Sequence, residues 1–162
     1  MTKLLALPLL LIAGVGCSDH VLDPPAEEVS FAAASAACRA VQSEEALEFG
    51  PGGFAGTVTG DLVGTIQVEF LHDPVLHGVA SLNDGIDFID VTGGAFPELI
   101  GKTLEHRHKN LAVFAPGLDG LAPIIGHGRL VGEVAGHLTF HGVLDLNDFS
   151  VASTYRGNIC MR

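Results

Sequence analysis

Residues 56 to 70 read Gly56-Thr57-Val58-Thr59-Gly60-Asp61-Leu62-Val63-Gly64-Thr65-Ile66-Gln67-Val68-Glu69-Phe70. Val58, Leu62, Ile66, Val68 and Phe70 share one phase of a two-residue period, and Thr57, Thr59, Asp61, Thr65, Gln67 and Glu69 share the other. Side chains alternate across a strand but wind every 3.6 residues round a helix. The spacing therefore predicts a half-buried β-strand, or two strands joined by a bend that Gly60 or Gly64 permits, and argues against a helix.

Working outward, the same rhythm predicts strands at 75–82, 86–91, 102–114, 124–134, 137–144 and 151–159, with a first strand opening at Cys38. The alanine-rich residues 31–42 suit a helical turn as well. Turn signals stand at Asn83-Asp84-Gly85, Gly93-Gly94, Ala115-Pro116-Gly117 and Asn147-Asp148. No long amphipathic helix intervenes, so the strands should run antiparallel. Short, evenly spaced strands with 21 glycines point to a sandwich or barrel.

The N-terminus adds a destination. Lys3 precedes the apolar run Leu4 to Ala13, and Gly14-Val15-Gly16 leads into Cys17. One cation, an apolar run too short to span a bilayer and a small-residue exit describe a secretory signal. With its cysteine it resembles a bacterial lipoprotein signal, although Gly14 stands where leucine is usual. This predicts a signal peptide over 1–16, a lipidated Cys17 and flexible tether over 17–36, and one domain over 37–162. Once Cys17 carries lipid, Cys38 and Cys160 remain as an even pair, and pairing is the expectation in an oxidising compartment. The expected location is the bacterial cell envelope, lipid-anchored, or else outside the cell.

The 162 residues carry 8 Lys plus Arg against 19 Asp plus Glu, a formal net charge of -11. That balance opposes the phosphate attraction on which nucleic-acid binding rests. No Lys/Arg cluster stands near either terminus, so membrane contact is expected through the lipid anchor alone.

Two stretches carry a family resemblance. Phe54-Ala55-Gly56-Thr57-Val58-Thr59-Gly60-Asp61-Leu62-Val63-Gly64-Thr65, and later Gly128-Arg129-Leu130-Val131-Gly132-Glu133-Val134-Ala135-Gly136-His137-Leu138-Thr139-Phe140-His141-Gly142, resemble the glycine-punctuated hairpins of allene-oxide-cyclase-like barrels. That group includes dirigent proteins and secreted bacterial proteins. The closing Tyr155-Arg156-Gly157-Asn158-Ile159-Cys160 fits its last strand. The resemblance implies a single antiparallel eight-stranded barrel over roughly 38–160 with an apolar interior cavity, in which Cys38 and Cys160 link neighbouring first and last strands. No catalytic motif of the group is matched.

Eight histidines are many for this length. His106 and His108, two apart on one strand, lie about 6.5 to 7 Å apart and share a face with Lys102 and Leu104. They can chelate a metal only if a neighbouring strand gives a third ligand; without one they are surface residues. Glu133, His137 and His141 share a face that is soluble exterior if it meets solvent and a set of proton-transfer groups if it lines a cavity. Glu133, His137 and His106 are the catalytic candidates. His72 and His77 flank Asp73-Pro74 at an expected rim and, with His141, are the ligand-contact candidates. No CxxC, HExxH, GxSxG or phosphate-binding glycine loop occurs, and no cofactor is expected. The leading expectation is a barrel that binds a small apolar ligand in its interior. The alternatives are a cofactor-independent cyclase or isomerase with an inward ionisable residue, and a structural envelope lipoprotein with a packed barrel.

Overall fold

The computed structural model describes residues 37–161. The expected leader, Cys17 and all of the tether lie outside the described residues. The strands are β1 (Cys38–Gly50), β2 (Gly53–Gly60), β3 (Leu62–Phe70), β4 (Val75–His77), β5 (Ala80–Gly94), β6 (Thr103–Val113), β7 (Leu121–Val131), β8 (Val134–Asp145) and β9 (Ser150–Met161). All pairings are antiparallel, in the order β3-β2-β1-β9-β8-β7-β6-β5, and β3 pairs back onto β5. Eight strands thus close a barrel, the one of the two architectures open to the strand pattern that the resemblance implies. The short β4 is an extra strand that continues the same edge of β5, with Val75 opposite Leu82.

The stretch 56–70 is the hairpin of β2 and β3. Gly60 turns it with φ +114, a left-handed value that side chains avoid. Three expected boundaries are corrected. Residues 75–82 form a hairpin folded at Gly78 rather than one strand. The segment 124–134 ends at Val131, and Gly132-Glu133 turn the chain into β8. Asn83-Asp84-Gly85 is not a turn but runs inside β5, because both edges of that strand find partners: Gly85 faces Phe70 on β3 and His108 on β6.

The barrel has a closed end and a mouth. At the end where β1 begins, the inward side chains of Leu62, Ile89, Leu138 and Ile159 are 0–1% exposed, and Phe96, just before a 3-10 turn after β5, and Leu99, its last residue, plug the opening. Fully burying each such side chain is worth roughly 1.5 to 3 kcal/mol. Arg39 lies over the Phe96 ring at 4.1 Å and ion-pairs with Glu98, which holds the plug from outside. Cys38 and Cys160 are directly paired in the β1–β9 register and form a disulfide, as cysteine parity predicts.

Candidate functional site

Four strands of the mouth half carry polar residues in the inward, apolar phase. Along β1 that phase holds Val41, Ser43, Glu45 and Leu47; along β6, Leu104, His106 and His108; along β9, Val151, Ser153, Tyr155 and Ile159. On β5, Asp87 precedes Ile89 and Val91. Pairing on both sides fixes these positions, since a one-residue slip would turn every inward side chain of a strand outward.

Asp87 is the hub. Its Oδ2 accepts hydrogen bonds from His106 Nδ1 at 2.9 Å and from the Tyr155 hydroxyl at 2.5 Å, and its Oδ1 accepts one from His108 Nε2 at 2.9 Å. Burial alone would raise this carboxyl, but the donated hydrogen bonds and adjacent imidazoles draw it down to about 2. The two imidazoles stack with centroids 5.4 Å apart, and Phe140 meets both edge-on. They fit because the wall beside them lacks side chains: a Cβ at Gly128 would stand 2.5 Å from His106 Nε2, and one at Gly85 2.8 Å from His108 Nε2.

Glu45 stands next to this hub in the opposite condition. Burial, then the charge of Asp87, raises its carboxyl to about 7, against the pull of the Tyr155 and Ser153 hydroxyls and of His108. Burial and the same two carboxylates push the Tyr155 phenol well above its ordinary range, so it remains a proton donor. Among the described residues, Glu45 Oε2, Ser153 Oγ, His106 Nε2 and His108 Nδ1 are buried without a hydrogen-bond partner.

A cavity of about 50 Å³ opens at this level. Glu45, Asp87, His108, Asn110 and Tyr155 give it a polar floor, and Leu47, Phe54, Val68, Ile124, Phe140 and Val151 give it apolar walls. Above it Phe49, Phe54, Phe70 and Phe149 form ring contacts around part of the mouth.

A buried carboxyl whose folded pKa lies above its unfolded value costs stability once it must ionise. From the unfolded 4.5 to the folded value of about 7 the barrel loses stability as pH rises, and the deficit is complete above that. Glu45→Gln is therefore expected to stabilise the protein by about 2 to 3 kcal/mol at pH 8 and to be nearly neutral at pH 4. Urea midpoints at the two pH values check this, and equal midpoint shifts would contradict it.

The sequence candidates divide cleanly. His106 and His108 face inward, so the surface reading of that pair is corrected: their phase is the apolar phase of Leu104, which a closed barrel turns inside. His106 supplies the inward ionisable group that the cyclase or isomerase reading requires. Glu133 lies in the exposed β7–β8 turn and ion-pairs with Lys102 at 2.8 Å. His137 and His141 are on the outer face of β8, His72 is in the β3–β4 loop and His77 ends β4; all are exposed and none lines the cavity. Among the described residues no cluster of three or more His, Cys, Asp or Glu side chains is arranged to hold a metal ion. His106 and His108 instead share Asp87.

Glu45, Asp87, Ser153 and Tyr155 escaped the sequence reading. Their signal was a polar residue in the apolar phase of a strand, as in Val41-x-Ser43-x-Glu45-x-Leu47. No family model matches the chain, and no curated protein or solved structure matches it.

Proposed function

We propose that this chain is an exported barrel, anchored to a bacterial envelope through lipid on Cys17, that binds a small, mostly apolar molecule by its polar end, and that it is a remote member of the allene-oxide-cyclase-like group. The observation that carries the binding reading is the mouth cavity, where apolar walls meet a polar floor on which Glu45 Oε2 is buried without a partner. Few convergent polar groups in an apolar pocket are the usual form of a small-molecule site. At about 50 Å³ the cavity takes a carbonyl, hydroxyl or carboxyl group rather than a whole ligand, so the apolar body rests against the rim phenylalanines. The plugged opposite end leaves no deeper chamber. The disulfide suits an oxidising compartment, and the closed eight-stranded topology suits the group.

A second reading, a cofactor-independent isomerase or cyclase, is favoured by one specific observation. Glu45 at about 7 and Asp87 at about 2 are two carboxyls that their surroundings hold apart, the arrangement by which one site keeps a proton donor beside a permanent anion. In this reading Glu45 moves the proton, Tyr155 donates to the developing charge and Asp87 orients both imidazoles.

Native mass spectrometry of the full protein, extracted from an exporting host in mild detergent and compared with the denatured sample, tests the binding. Near-stoichiometric release of one small apolar molecule is expected, and its loss in Val151→Phe, which fills the cavity. A bare mass, with no retention of added fatty acid or terpenoid alcohol by wild type, would leave a packed structural barrel.

A further inference from the structure

We infer that the outer face of β4 to β9 is a docking surface for a lipid bilayer that contains anionic headgroups. The register brings Val75, Leu82, Leu111 and Ile125 into one outward row across four strands. Ile125 is 60% exposed, Val75 54% and Leu82 48%. Four strands at about 4.8 Å spacing make this an apolar strip about 14 Å long, and contiguous exposed apolar surface on a folded domain marks an interaction site.

The next two outward rows carry the cations. Two residues along the strands, about 7 Å away, Lys109, His127, Thr139 and Arg156 are paired in sequence across β6 to β9. Two residues further, Arg107 on β6, Arg129 on β7 and His137 on β8 stand side by side. Glu105 contacts Arg107 at 2.6 Å and Asp84 lies 3.5 Å from Lys109, so two of these cations are partly offset. The Arg129 and Arg156 guanidinium groups have no ion pair among the described residues. Like charges facing each other across a sheet weaken it. A groove of about 400 Å³ runs between these side chains, bounded by Leu71 and floored by Gly85 and Gly128.

An apolar strip backed by a cationic belt is the division that an interfacial surface needs: apolar side chains reach the acyl boundary while Lys and Arg meet headgroup phosphates. Toward the other side of the barrel the sign changes, with Glu44 and Glu48 outward on β1, while Glu69 on β3 stands in the row of Arg107 at the edge of the docked face. The net charge of -11 is spread unevenly over the outer surface, so it does not forbid a contact made through the cationic rows. The sequence confined membrane contact to the lipid anchor because no cationic cluster stands near a terminus. Folding gathers one from three strands. The same asymmetry argues against a barrel embedded all round, since lipid would then meet the carboxylates of β1 and β3.

The chain has no tryptophan, so one introduced tryptophan reports its own surroundings. Full-length Ile125→Trp, with Thr57→Trp on the far side of the barrel as the control, is mixed with phosphatidylcholine vesicles whose acyl chains are brominated, with and without phosphatidylglycerol. The Ile125→Trp reporter should be quenched only with phosphatidylglycerol, and quenching should fade at high salt, while the Thr57→Trp reporter stays bright. Adding Arg129→Gln and Arg156→Gln should weaken partition by about thirtyfold, the loss expected for two cations near an anionic surface. Equal quenching of both reporters would show that only the N-terminal segment reaches lipid and overturn the proposal. So would quenching indifferent to phosphatidylglycerol, or none at all, which would give this face to a protein or polysaccharide.

Discussion

Asp87→Asn is expected to lower the free energy of unfolding by about 3 to 5 kcal/mol, the loss that follows when one partner of a buried charged network is removed. Three donors converge on Asp87, from Tyr155, His106 and His108. Asparagine keeps one acceptor oxygen, and its amide turns two further N–H bonds toward a donor. A buried donor left facing a donor costs its full desolvation, and a small domain has only about 5 to 15 kcal/mol in total. Tyr155→Phe should cost less, about 1 to 1.5 kcal/mol, because Asp87 keeps both imidazoles. Urea unfolding at pH 7 followed by circular dichroism separates the two variants. A loss below about 1 kcal/mol for Asp87→Asn would mean that the network does not hold β5 to β6 and β9. Because folded Asp87 lies below its unfolded value of 3.8, its contribution is intact above that pH and disappears as pH falls through about 2. Wild type should therefore lose stability over this acid range, and Asp87→Asn should not share that component.

Removal of the Cys38–Cys160 disulfide, by reduction or by paired substitution to serine, is expected to cost about 4 to 5 kcal/mol, since it releases a very long loop in the unfolded chain. The sequence separation is 122 residues. With a urea slope of about 1 to 3 kcal/mol per molar, the midpoint should fall by about 2 M. The tie also sits where closure is decided, at the seam between the first and last strands. A shift under about 0.3 M would show that the reduced, unfolded chain already keeps its ends together.

The strands were legible in residues such as 56 to 70 because a half-buried strand writes its two faces into the order of its residues, whereas closure into a barrel was implied by the resemblance alone. What that order does not contain is which neighbours a strand will have. Asn83-Asp84-Gly85 has turn chemistry, yet tertiary pairing on both edges of β5 overrides it, and Gly85 serves instead to leave room for His108. His106 and His108 could be assigned to one face, but only closure decides that this face is inside. Asp87 was harder still, since its meaning comes from His106, His108 and Tyr155, which lie on two other strands. Glu133 and His137, the more conspicuous pair in sequence, belong to the outer surface, where polar residues need no explanation.

Linking Cys38 to Cys160 makes the backbone between them a covalent ring. A single proteolytic cut inside that ring, for example in the exposed loop at 71–74 between β3 and β4, opens the ring without dividing the molecule. The nicked chain is a circular permutant held by its disulfide, with every strand still attached to the rest.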